Sequence, residues 1–277
     1  MSDNWIVANL ENAFATWNDK MTEMWSLLTT SPQSFKGGGI WTIVTGINGG
    51  LQAIGYGLLI LFFAMNVFKS TASFRDFQRP EYALKHFIRF VAAKVAITYA
   101  LDIMTVIYTI CGGIVESIAA SVGGIGGAAV TLPAAVETAV EDAGFWASIP
   151  LWLVTILGSL FITVMAFIMI MSVYGRFFRL YMYTALAPVP LSTFAGEGTS
   201  QMGKSFVKSY VGVCMEGAVI VLACLIYSAF ASTPTIDSSI TTVTMIWKYI
   251  GEVIFNMLVL VGLIKGADRI VKELFGT

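Results

Sequence analysis

Charge is scarce in this chain of 277 residues. Asp, Glu, Lys and Arg make up 12% of it, against about a quarter in an ordinary soluble domain. Histidine is scarcer still: His86 stands alone, with no Cys, Asp or Glu cluster around it, which removes the usual metal sites. The three cysteines, Cys111, Cys214 and Cys224, pair at neither metal-ligand nor redox spacing. Cys214 and Cys224 fall in one apolar run, where a thiol behaves as a small apolar group. The phosphate-cradling pattern Gly-x-x-x-x-Gly-Lys-Ser/Thr is missing, and Gly203-Lys204-Ser205 supplies only its last three positions without the upstream glycine or a preceding strand. No catalytic triad is visible. These absences predict a chain that is no enzyme and carries no cofactor. A formal net charge of −1 also excludes a global field that would draw nucleic acid.

Apolar side chains fill the space that charge leaves. They make up 57% of the residues, and mean hydropathy is +0.78. A water-soluble fold of this length could not bury so much, so the composition predicts an all-α polytopic membrane protein. The start of the chain lacks a basic segment and an apolar core, and it carries Asp3, Glu11 and Asp19, so no cleavable leader is expected there. The first true span would then act as the insertion signal.

Apart from Lys20, Lys36 and Lys248, all 16 Lys and Arg fall into three clusters separated by apolar runs. They are Lys69, Arg75, Arg79, Lys85, Arg89 and Lys94; Arg176, Arg179, Lys204 and Lys208; and Lys265, Arg269 and Lys272. Positive charge at span ends stays on the cytoplasmic side. The clusters therefore predict about five crossings, N-terminus outside and C-terminus inside, within a membrane domain over 40–277. The expected spans are 47–68, 88–110, 146–174, 207–231 and 243–265. A cytoplasmic basic loop would lie at 69–87 and an outer acidic helical hairpin, turning at a glycine run, at 112–144. Asn48, Gly49 and Gly50 are expected to mark a helix break near the interface.

Two segments do not fit a simple crossing. Residues 1–36 place Ile6, Leu10, Phe14, Trp17, Met21, Met24 and Leu28 on one helical stripe. That predicts an extracytoplasmic amphipathic helix, lying in the membrane interface or using Leu10, Phe14, Trp17 and Met21 as an oligomer contact. The uncharged stretch 180–196 contains Pro188 and Pro190, and prolines so close break a helix. Both its flanks are basic, which predicts a re-entrant segment. A full crossing there would invert every later span.

The pattern of Arg176 to Phe194 (RFFRLYMYTALAPVPLSTF), followed by a polar loop and GKSFVKSYVGVCMEGAVIVL (Gly203 to Leu222), resembles the TrbL family of polytopic membrane subunits from type IV secretion and conjugation systems. The resemblance implies a channel subunit of the bacterial cytoplasmic membrane, passing single-stranded DNA with its relaxase, or protein. It further implies a homo-oligomeric ring of five or six, working with other secretion-system subunits and cytoplasmic ATPases. A small-solute transporter and an assembly platform without a continuous pore are the rival readings.

Charged residues inside the spans are the candidate functional groups, because a charge at bilayer depth must pair or face water. Lys94, Asp102, Glu216, Lys248 and Glu252 are read either as intramembrane pairs (Lys94 with Glu216, Asp102 with Lys248) or as pore lining. Lys69, Arg75, Arg79, Lys85 and Arg89 form a basic surface, which contacts anionic lipid headgroups or receives transferred DNA.

Overall fold

The computed structural model describes residues 5–71, 80–121, 129–143, 145–230 and 241–276. Among these the chain is helical, without strands. The α-helices are α1 (Trp5–Thr29), α2 (Gly39–Thr71), α3 (Pro80–Thr98), α4 (Ala100–Ala120), α5 (Ala134–Glu141), α6 (Phe145–Leu186), α7 (Pro188–Ser192), α8 (Ser200–Phe230) and α9 (Thr242–Phe275). Five stretches are helical, long and apolar enough to cross a membrane: Phe35–Lys69, Ala100–Ala120, Ile149–Leu186, Ser200–Phe230 and Thr242–Phe275. Arg75, Arg79 and the glycine run expected to turn the outer hairpin lie outside the described residues.

The chain divides into two compact units. One comprises Met1–Thr29, Ser117–Tyr174 and Val219–Ala267; the other comprises Thr30–Glu116, Gly175–Ala218 and Asp268–Thr277.

In the first unit α1 runs 25 residues without glycine or proline. Its apolar stripe is spent within the chain. Ile6, Leu10, Phe14, Trp17, Met24 and Leu28 are all buried, and Met21 is half-buried. This corrects the expectation of an interfacial helix or an oligomer seam through Leu10, Phe14 and Trp17, since either would leave the stripe open. The register with α6 is read from four contacts. Trp5 meets Trp152 edge-on at 5.8 Å; the Ser159 hydroxyl donates to the Asn9 carbonyl at 3.2 Å; Lys20 Nζ sits 5.9 Å over the Phe167 ring; and the Tyr174 hydroxyl donates to Glu23 at 2.6 Å. Both residue numbers rise together, so the two helices are parallel. Asn18 clamps the backbone ahead of α5, donating to the Val130 carbonyl at 2.9 Å and accepting from the Val130 N–H at 3.0 Å. Pro133 then caps α5, the fresh helix start that Thr131-Leu132-Pro133 predicts. Gly158 lets α9 approach α6: a Cβ there would meet Ile250 at 2.7 Å.

In the second unit the link after α1 is docked rather than loose. The Tyr108 and Tyr181 hydroxyls donate to the carbonyls of Thr30 and Pro32 at 2.8 and 2.9 Å. Phe35 stacks on Phe177 with centroids 4.5 Å apart. The chain then passes through positive φ at Lys36, Gly37 and Gly38, a conformation that glycine adopts without steric cost. Thus 36–39, which reads in sequence as a flexible join, is a tight turn. Helix α2 starts at Gly39 and runs unbroken through Asn48-Gly49-Gly50, contrary to the expected break.

Helix α3 returns beside α2, tied by Asn66 Nδ2 and His86 Nδ1 at 2.9 Å, by Phe63 on Phe90 at 4.9 Å, and by the Tyr56 and Thr98 hydroxyls at 2.9 Å. Helices α3 and α4 are nearly one element. Backbone bonds Tyr99→Val95 and Ile103→Tyr99, both 2.9 Å, carry the helix across the turn at Tyr99. The stretch apolar enough to cross lies at Ala100–Ala120, later than 88–110, because Arg89 and Lys94 lower the hydropathy of the first half. Leu59, Ile97, Met104, Leu180, Leu191 and Tyr210 centre the core of this unit.

Candidate functional site

Helix α6 does not end at Arg176 and Arg179. It continues two further turns to Leu186 and stops at Ala187. Two features of the second unit follow, a seat for the proline break and a buried charge cluster.

Proline lacks an N–H, so Pro188 cannot bond the carbonyl four residues back. That carbonyl belongs to Thr184, and it accepts instead from Asn48 Nδ2 at 2.7 Å, with Asn48 buried. One face along α2, Gly55 makes room for the break: a Cβ there would lie 2.9 Å from the Pro188 carbonyl oxygen. Asn48 and Gly55 therefore receive the distorted end of α6. Short α7 and the 3-10 turn Thr193–Ala195 follow, so only part of 180–196 departs from the long helix. Asn48→Ala should leave the Thr184 carbonyl buried and unbonded, costing about 1–3 kcal/mol. Restoring an N–H with Pro188→Ala should make Asn48 nearly dispensable. Thermal unfolding of the two single variants and the double variant in detergent checks this coupling.

The charge cluster joins α6, α8 and α9. Arg176, 1% exposed, donates to the carbonyls of Val213 and Cys214 at 3.3 and 3.2 Å. Its guanidinium lies 6.0 Å from the Tyr108 ring centre. Gly217 gives it space, since a Cβ there would fall 2.7 Å from the guanidinium. Three residues on, Arg179 Nη2 donates to both carboxylate oxygens of Glu216 at 2.7 Å, and its Nη1 donates to Asp268. Lys272 closes the network on the other Asp268 oxygen at 2.7 Å.

This arrangement corrects the expected pair of Lys94 with Glu216. The Glu216 side chain is 5% exposed and is held by Arg179. Lys94 is exposed and makes no ion pair among the described residues. Position along the sequence does not settle the pairing, because helix phase decides which side chains meet. Asp102 and Lys248 are likewise exposed and in no ion pair among the described residues, contrary to their expected pairing. Lys248 and Glu252, with Thr244 and Asn256, line an open groove together with the rings of Phe230, Trp247 and Phe255. The sequence does carry a signal for the arginines: spacing of three puts Arg176 and Arg179 on one helix face, and no helix breaker follows until Pro188.

Of the basic surface, Lys69 is exposed, while Lys85 and Arg89 on α3 both grip Glu197 in the turn before α8, at 3.2 and 2.9 Å. Arg89, then Lys85, holds the Glu197 carboxyl below the usual carboxylate range. A carboxylate depressed in the fold contributes stability above its unfolded value and loses it as pH falls through the folded value. The gap in melting temperature between wild type and Glu197→Gln should therefore be present at neutral pH and close on acidification. It should be small, within about 1 kcal/mol, since the pair is exposed.

The family described as TrbL/VirB6 plasmid conjugal transfer like protein matches residues 17–188. The chain belongs to that family. No curated protein and no solved structure matches it. The TrbL/VirB6 match covers α2 to α6 and ends at Pro188, so it includes Asn48, Gly55, Arg176 and Arg179. Glu216 and α9 lie beyond it. With five helices of spanning length among the described residues, this family member is a multi-pass membrane protein.

Proposed function

We propose that the protein is a non-catalytic membrane subunit of a conjugative type IV secretion system. It oligomerises in the bacterial cytoplasmic membrane, N-terminus outside and C-terminus inside, and helps single-stranded DNA with its relaxase, or protein, to cross. Other secretion-system subunits and cytoplasmic ATPases supply the assembly and the energy. The observation that carries this reading is the family match over residues 17–188. The α9 groove supports it. Thr244, Lys248, Glu252 and Asn256 recur every four residues along a helix of membrane-spanning length, and charges at such depth persist where they face water.

The test is crosslinking during transfer, with a photoreactive residue at Lys248 or at Glu252. Adducts with transferred DNA or its relaxase are expected. A correctly assembled complex that transfers cargo without any adduct would favour a platform, and uptake of a small solute by reconstituted protein would favour a transporter.

A further inference from the structure

We infer that Lys85 and Arg89 on α3 form the phosphate site of an anionic phospholipid whose acyl chain lies along the same helix, and that Glu197 occupies this site as an internal competitor. All of these residues belong to the second unit. A chain that spans a membrane is the only requirement, so the site stands apart from the translocation reading.

Helix α2 has no charge from Ile40 to Phe68, and Lys69 closes its spanning stretch. Helix α3 runs antiparallel to it: His86 meets Asn66, Phe90 meets Phe63 and Thr98 meets Tyr56. Lys85 and Arg89 therefore lie beside the last turns of the uncharged run, where hydrocarbon gives way to headgroups. Basic side chains at such a level lay their stems on apolar surface and reach phosphate with their heads.

Helix α3 turns one face to its own unit, where His86, Ala93 and Ile97 are buried. On the opposite face Leu84, Phe87, Ile88, Val91 and Val95 stand 40–59% exposed. Spacings of three and four join them into one apolar stripe. It begins at the level of Lys85 and runs toward Thr98, deeper along α2. Lys85 and Arg89, one turn apart, flank it on a single side. A phospholipid fits both parts, chain on the stripe and phosphate on the cations. Nucleic acid would fit the cations and leave five apolar side chains unmatched.

The cations are also incompletely spent. Both converge on one oxygen of Glu197, Oε1, at 3.2 and 2.9 Å, so two positive charges meet one negative. Arg89 gives Nη2 to Glu197, while its Nη1 is shielded from solvent and has no acceptor among the described residues. The Glu197 side chain is 55% exposed and sits between Gly196 and Gly198. An exposed ion pair is weak, so this carboxylate is readily displaced. A phosphate diester brings the same single charge with more acceptor directions, and its chain adds apolar burial that Glu197 cannot supply.

The experiment uses the full chain in detergent and native mass spectrometry. Dioleoylphosphatidylglycerol is titrated against dioleoylphosphatidylcholine, with inorganic phosphate and a single-stranded oligonucleotide as further probes. Phosphatidylglycerol should bind about tenfold more tightly than phosphatidylcholine, as two cations at a headgroup imply. Glu197→Gln removes the competitor and keeps the cations, so it should tighten phosphatidylglycerol roughly twofold to fivefold. Lys85→Gln with Arg89→Gln should abolish the preference between the two lipids, whereas Phe87→Ser with Ile88→Ser should weaken both alike. Melting temperatures identify the variants that remain folded. A Glu197→Gln protein that binds phosphatidylglycerol no better than wild type overturns the inference. So does a folded Lys85, Arg89 double variant that keeps the preference. Displacement of the lipid by an equal concentration of inorganic phosphate would mean a free-anion site, and tighter binding of the oligonucleotide than of phosphatidylglycerol a nucleic-acid surface; either result overturns it as well.

Discussion

Arg179→Ala is expected to destabilise the fold by about 3–5 kcal/mol, the cost of leaving a buried charge without its partner. The stranded group is Glu216, 5% exposed and otherwise bonded by both oxygens to Arg179. Asp268 would suffer less, because it keeps Lys272 and is a third exposed. The same physics predicts the rescue. Replacing a buried ion pair by apolar residues of similar volume is often neutral or better. Arg179→Met with Glu216→Met should therefore recover most of the loss, whereas Lys94→Ala with Glu216→Ala should recover none. Thermal unfolding of the purified variants in detergent, together with their steady-state level in membranes, checks both statements. A full recovery by the Lys94 combination would mean that Arg179 is not the partner of Glu216.

Gly217→Ala should be the other severe change, and its sign runs against helix propensity. Alanine ordinarily stabilises a helix interior over glycine by about 1 kcal/mol. At position 217 the new Cβ would sit 2.7 Å from the Arg176 guanidinium. That guanidinium cannot swing away, since it is buried among Tyr108 and the carbonyls of Val213 and Cys214. Overpacking together with a displaced buried charge should cost roughly 3 kcal/mol. Gly175→Ala provides the contrast: nothing lies within 4 Å of its Cβ position, so it should gain up to about 1 kcal/mol. Adding Arg176→Met to Gly217→Ala should restore stability by removing the group that is struck. Melting temperatures of the four proteins decide it; equal effects of Gly175→Ala and Gly217→Ala would contradict the packing described.

The α1 stripe shows how far pattern reading reached. Spacing identified the helix and its apolar face correctly, because periodicity is a local property. What covers that face is not local. Segments far along the chain, α5 and α6 among them, pack on α1, and the stripe that looked free for lipid is buried. The proline break was equally visible in Ala187-Pro188-Val189-Pro190. Its receiver, Asn48, looked instead like a helix breaker. A polar side chain beside two glycines has that appearance until the carbonyl orphaned by Pro188 is known to be next to it.

Composition and charge order by themselves determined an all-helical, multi-pass membrane protein, and the stretch from Arg176 to Leu222 carried the resemblance to the TrbL family. Segment hydropathy, basic clusters and helix breakers are written residue by residue. The tertiary structure alone decided the partners: Arg179 rather than Lys94 for Glu216, Gly217 as the space for Arg176, and Asn48 for Thr184. Which side chains meet depends on helix rotation and on where a long helix truly ends. A shift of one residue turns a helix by about 100°, far more than an estimate of depth along the sequence can resolve.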